Sequence, residues 1–80
     1  MIDLLPAVRA EADRAQARYG NFTSTHEALG VITEEMHELI VAIQGNRMDR
    51  IRHEAIQLSA AAMRLAEHCD DSGFVGRSVK

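Results

Sequence analysis

The reading of this chain turns on Leu39-Ile40-Val41-Ala42-Ile43-Gln44-Gly45-Asn46-Arg47-Met48-Asp49-Arg50-Ile51, where two helical patterns meet with one or two residues around Gly45-Asn46 between them. Upstream, Ile32, Met36, Leu39 and Ile43 recur at steps of three and four and form one core stripe, the spacing that keeps one helix face apolar. Ser24-Thr25-His26-Glu27 opens that helix with the S-x-x-E spacing of a capping box, and Gly45 supplies its stop. Downstream, a third helix starts around Asn46 or Arg47 and runs to about Cys69, with Ile51, Glu54, Leu58, Ala61 and Leu65 on one stripe. A link this short predicts an antiparallel helix hairpin.

Working outward, Pro6 suits an opening turn, and Leu5, Val8, Ala12, Ala15 and Tyr19 repeat at helical steps until Gly20 stops the first helix and Asn21 continues the turn. No run alternates apolar and polar residues as a strand would, and there is no repeat or low-complexity segment. The expected fold is all-α, a small helical bundle with a central antiparallel helix hairpin, completed by oligomerisation. Residues 1–69 read as a single helical domain. Residues 70–80, with two glycines and no period, read as a flexible or partner-ordered C-terminal tail.

At 80 residues and 46% hydrophobic, the chain holds one small domain that needs a staple beyond its own core. Its one cysteine, Cys69, excludes an intrachain disulfide and points to a reducing compartment. Self-association is therefore expected, with bound metal as a second staple. A further apolar strip on the third helix, Ile56, Ala60 and Met63, asks for a neighbour beyond the first helix. The longest apolar runs, Leu39 to Ile43 and Ala60 to Met63, are too short to span a bilayer. No basic stretch precedes an apolar one at the start, so a cytoplasmic protein with no membrane partner is expected. A net charge of −3 argues against nucleic acid as a partner.

The chemistry sits on the hairpin. Ala28, Val31, Glu35, Glu38 and Ala42 form a second stripe, so two glutamates stand where the pattern asks for apolar residues. Glu54 repeats the anomaly on the third helix, with Gln57 one turn on. From Ser24 to Gly45 there are four glutamates and no Lys or Arg. In an antiparallel pair pivoting near residue 46, facing residues have numbers summing to about 92, so Glu38 faces Glu54 and Glu35 faces Gln57. Like charges in a partly buried groove repel, and desolvation adds to the cost. A divalent cation resolves the repulsion, and an all-oxygen donor set favours Mg²⁺, with Mn²⁺ possible, over Zn²⁺. The bland alternative is a solvated acidic face, the commoner fate of helical glutamates such as Glu34.

Glu34-Glu35-Met36-His37-Glu38 followed by Glu54-Ala55-Ile56-Gln57 resembles the EExxE…ExxD signature of the all-α nucleoside triphosphate pyrophosphohydrolases, the MazG-like group. The text around both motifs, Thr25 to Ile32 and Leu58 to Leu65, is similar too, and the likeness covers about residues 22 to 69. It implies Mg²⁺-dependent cleavage between the α- and β-phosphates of an NTP or dNTP, releasing pyrophosphate, by a homodimer or homotetramer. It further implies metal binding by Glu35, Glu38 and Glu54, with position 57 as the fourth ligand, and an outer-sphere or water-orienting role for Glu34. The implied catalytic set is Glu34, Glu35, Glu38 and Glu54. Gln57 departs from the signature, which has Asp there; an amide oxygen can ligate but brings no charge and cannot act as a base. A catalytically weak or inactive nucleotide-binding or interaction module of the same fold is the alternative.

Other residues carry weaker signals. Glu34 and His37 have the Glu-x-x-His spacing of ferritin-like sites, but His37 is rotated away from Glu35 and Glu38. His26, His53 and His68 read as surface or cap residues, and Cys69 as structural or incidental. Tyr19 and Phe22 could stack on a base, although core packing is the commoner role. Arg47, Arg50, Arg77 and Lys80 could meet phosphates, although solvated charge is the commoner role for each.

Overall fold

The structure, a computed structural model, describes residues 3–71. Three helices follow one another: α1 (Leu5–Tyr19), α2 (Thr25–Gly45) and α3 (Met48–Asp71). Each boundary has a local cause. Pro6 occupies the first turn of α1, where its missing N–H costs nothing, and the Leu5 N–H donates to Asp3 Oδ1 at 3.1 Å. Gly20 ends α1 at φ 74°, its N–H donating to the Gln16 carbonyl at 2.9 Å; a side chain would be strained at that φ.

Ser24 caps α2, its Oγ accepting from the Glu27 N–H at 3.1 Å. Glu27 closes the box one residue further back than the motif predicts, accepting from the Thr23 N–H at 2.6 Å and from the Thr23 hydroxyl at 3.1 Å. Asn46 terminates α2 in the left-handed region (φ 55°, ψ 36°), and its N–H donates to the carbonyls of Ala42 and Ile43. Asn tolerates this conformation better than other side chains do. With Asn46 and Arg47 as the whole link, α3 begins at Met48, slightly later than the pattern suggests, and runs two residues past Cys69. Asp70 and Asp71 therefore belong to α3, and the remainder of the expected tail, with Arg77 and Lys80, lies outside the described residues.

α3 is the shared element. Both α1 and α2 pack on it, and they make no close backbone contact with each other. Its 24 residues span about 36 Å at 1.5 Å per residue, which accounts for the 39 Å long axis of the molecule. The buried apolar residues are Ala12, Phe22, Ala28, Ala42, Ala60 and Ala61. Small side chains at the contacts let helix backbones approach closely, but they bury little area. Among the described residues no large side chain is fully buried.

One expectation about faces needs correction. The stripe Ile32, Met36, Leu39 and Ile43 is not the core face of α2: Ile32 and Leu39 are half-buried, while Met36 and Ile43 are exposed. The face turned inward is the second stripe, with Ala28 and Ala42 buried and Glu35 half-buried. Short side chains win there because they permit the closer approach, which leaves Leu29, Met36, Ile40 and Ile43 in an exposed row. On the strip Ile56, Ala60 and Met63, Ala60 is buried and the other two are half-buried; α1 lies against α3, with Arg9 reaching both Met63 and Glu67.

The left-handed Asn46 yields a stability prediction. Asn46→Ala should cost about 1–2 kcal/mol, read as a lower urea midpoint at unchanged slope, whereas Asn46→Gly should hold or slightly raise it. Equal midpoints for the Ala and Gly variants would show that the turn does not limit stability.

Candidate metal centre

Glu35 and Glu38 lie one turn apart on α2 and project from the same side; α3 presents Glu54 to them. One carboxylate oxygen from each of Glu35, Glu38 and Glu54 lies within 4.8 Å of the others. Oxygens on opposite sides of a Mg²⁺ are about 4.2 Å apart at ordinary metal–oxygen distances, so small side-chain rotations close all three on one cation. Burial is graded across the group: Glu54 is 6% exposed, Glu35 half-buried and Glu38 exposed.

The electrostatics are unfavourable without a counterion. Oε1 of Glu35 and Oε1 of Glu54 are buried and accept no hydrogen bond. Among the described residues, no Lys, Arg or His forms an ion pair with any of the three carboxylates. Burial holds the Glu35 carboxyl above the usual glutamate range, and the neighbouring charges of Glu38, Glu54, Glu34 and Glu11 push it the same way. Two buried carboxylate oxygens whose lone pairs accept no hydrogen bond, facing a third carboxylate, are the chemistry a hard divalent cation satisfies. The donor set present fits a Mg²⁺ or Mn²⁺ ion.

Glu35 and Gln57 also line a cleft of about 140 Å³ that runs between α1 and α2 with α3 as its floor. Its other polar walls are Glu11, Arg14, Tyr19 and Arg64. Of the residues singled out in the sequence, Glu35, Glu38 and Glu54 come together and Gln57 shares the cleft with Glu35. Glu34 is exposed and stands outside the three-carboxylate group, as does exposed His37, which gives no support to a ferritin-like site. Arg47 and Arg50 are exposed, and Arg47 pairs with Asp49 at 3.3 Å.

Tyr19 is 70% exposed at the cleft, whereas Phe22 is 3% exposed and belongs to the core. The ring of Phe22 meets His68 edge-on at 5.3 Å, and the Arg64 guanidinium carbon lies 4.5 Å from its centroid. His68 is therefore not a surface or cap residue. It is 6% exposed, with Nδ1 accepting from the Phe22 N–H at 3.3 Å and Nε2 3.1 Å from Gln16 Oε1. Arg64, equally buried, was not apparent from the sequence as a site residue. A signal existed: Gln57, Ala61, Arg64 and His68 recur at steps of four, three and four, the same polar-in-stripe anomaly that marks Glu54.

Compared with known proteins, the chain matches no protein-family model, no curated protein and no solved structure.

The raised Glu35 carboxyl sets a pH dependence. The folded, metal-free chain holds that proton more tightly than the unfolded chain. Its contribution is thus fully present below the ordinary glutamate pKa, about 4.3, and is lost as pH rises through the raised value. Melting temperatures in chelator should fall across that window, and Glu35→Gln should flatten the slope. Mn²⁺ or Mg²⁺ should restore the melting temperature at neutral pH, because a cation favours the charged form. An identical pH profile for wild type and Glu35→Gln would count against the buried carboxylate group.

Proposed function

We propose that the chain is a Mg²⁺-dependent nucleoside triphosphate pyrophosphohydrolase of the MazG-like kind, converting an NTP or dNTP and water to the monophosphate and pyrophosphate. The observation that carries this reading is the meeting of Glu35, Glu38 and Glu54, two of them with unpartnered buried oxygens, where α2 and α3 pack together. The cleft that adjoins Glu35 also supports it, because arginines on its other walls suit a polyanion.

In this reading Glu35, Glu38 and Glu54 hold the cation and Gln57 offers its amide oxygen as the fourth donor. When bound, the ion would neutralise triphosphate charge and lower the pKa of a water for in-line attack. Glu34, exposed beside the group, orients that water and accepts its proton from outside the ligand set. Glu54, fixed by burial, positions the ion, while exposed Glu38 adjusts as the substrate enters.

The exposed row Leu29, Met36, Ile40 and Ile43 on α2 supports assembly as a dimer or tetramer. These side chains are 44–60% exposed, and covering that fraction is worth about 1 kcal/mol each. A chain whose buried apolar set, among the described residues, is five alanines and one phenylalanine has most to gain from it. The cleft, at about 140 Å³, is also smaller than the roughly 300 Å³ at which small-molecule pockets begin. The nucleoside then rests outside it.

The second reading is a binding or interaction module of the same fold that has lost turnover, and Gln57 is the residue that favours it. A panel of ribo- and deoxynucleoside triphosphates with Mg²⁺ or Mn²⁺, scored for pyrophosphate release, separates the two. The enzyme reading expects release that Glu38→Gln lowers by more than the roughly 10–100-fold typical of losing an outer-shell partner, and that Gln57→Asp raises. No release from any triphosphate, with wild type or Gln57→Asp, sinks the enzyme reading in favour of the module. Light scattering at micromolar concentration should give at least a dimer mass, and Ile40→Glu should reduce it to that of one chain. A monomeric wild type would remove the assembly from the proposal.

A further inference from the structure

Among the described residues Arg64 is a buried cation with no ion-pair partner. It is 5% exposed, its Nη2 donates to the Gly20 carbonyl at 2.9 Å, and its Nε donates to Gln16 Oε1 at 3.4 Å. Its guanidinium carbon also lies 4.5 Å from the centroid of the Phe22 ring. Every one of these partners is neutral, and among the described residues no carboxylate pairs with it. Guanidinium does not give up its proton in proteins, so the charge stays and its desolvation goes uncompensated. Burial is the main influence pulling its pKa down, opposed by the charges of Glu27 and Tyr19.

Arg64 also lines the 140 Å³ cleft that contains Glu35 and Gln57, and a neighbouring cleft of about 130 Å³ lined by Tyr19, Phe22 and Glu27. Arg14 stands at the rim of the first cleft, 61% exposed and paired with Glu11. One space is thus bounded by Glu35, whose carboxylate has no ion-pair partner among the described residues, and by Arg64, whose guanidinium has none either. Its volume suits one or two phosphate groups, a few times the roughly 30 Å³ share of a water.

The geometry points to a phosphoanion subsite in the cleft between α1 and α2, with Arg64 as its buried counter-charge and Arg14 at its mouth. The subsite deepens the reading of the same site and rests on that reading for the identity of the substrate, a nucleotide polyphosphate. Its physical basis, an uncompensated buried cation, is independent of the metal. Arg64 presents a planar fork to phosphate oxygens. Glu35 opposes an anion when no cation is bound and joins it through the ion when one is, so cation and anion strengthen each other's binding.

The test uses pyrophosphate, titrated into the wild-type chain first in chelator and then with Mn²⁺. Two reporters follow it: the Nε–Hε NMR signal of Arg64, and the fluorescence of Tyr19, which lines the cleft in a chain with one Tyr and no Trp. The Arg64 signal should shift saturably, with affinity rising at least about tenfold when Mn²⁺ is added. Arg64→Gln should weaken pyrophosphate binding about tenfold or more, and Glu35→Gln should strengthen it in chelator. Where circular dichroism shows that Arg64→Gln does not fold, exposed Arg14→Gln should weaken binding about threefold, and the wild-type Arg64 signal decides the matter directly. Parallel arms with tripolyphosphate and a nucleoside triphosphate identify the source: a shift of Arg64 by either supports the subsite, and the tighter ligand names it. An Arg64 signal unmoved by all three ligands overturns the subsite. Mn²⁺ binding, read separately by electron paramagnetic resonance without anion, keeps the two readings distinct. Mn²⁺ bound with Arg64 unmoved leaves the metal site and removes this one; Arg64 shifted with no Mn²⁺ bound does the reverse.

Discussion

Only Asn46 and Arg47 separate α2 from α3, and the left-handed turn at Asn46 brings α2 back against α3. Everything at the candidate site depends on that short return. It places Glu35 and Glu38 beside Glu54, and it obliges the two helices to touch through whatever side chains lie on the facing stripes. Those stripes carry Ala28 and Ala42 on one side and Ala61 on the other. Alanine contacts allow close approach, and close approach is what drives Glu54 to near-complete burial.

The consequence is a molecule whose interior is polar where it is tightest. α3 carries Gln57 and Arg64 into the cleft and buries Glu54 and His68 elsewhere along its length, with α1 and α2 as separate walls. A buried carboxylate and a buried guanidinium on the same helix, ten residues apart, do not neutralise each other. About 15 Å of helix axis separates them at 1.5 Å per residue. Arg64 is held instead by the Gly20 carbonyl, Gln16 and the Phe22 ring, which fix the loop between α1 and α2 to α3. Each charge is oriented by its surroundings without being cancelled, an arrangement suited to a ligand bearing both signs.

The large apolar residues are displaced from the interior by the same packing. Leu29, Met36, Ile40 and Ile43 lie on the side of α2 turned from α3, because the helix can present only one face to a single neighbour. The short length raises the expectation of a partner surface without saying which face of α2 stays exposed: periodicity reports that two adjoining stripes are apolar or nearly so, and it cannot say which of them faces inward. The choice depended on the size of the side chains waiting on α3.

Local chemistry alone determined much of this protein. Pro6, Gly20, the Ser24 cap and Gly45-Asn46 delimit three helices, since capping and turn preferences act over a few residues. The short link with the spacing of Glu35, Glu38 and Glu54 was enough to foresee that the three carboxylates meet, because a two-residue return leaves helical register as the only variable. Tertiary structure decided what register cannot encode. It buried His68 and Arg64 against Phe22, turned Met36 and Ile43 outward, and opened the cleft between α1 and α2. Those outcomes depend on how α1, from the far end of the chain, docks on α3, and no local pattern specifies contacts between segments that distant in sequence.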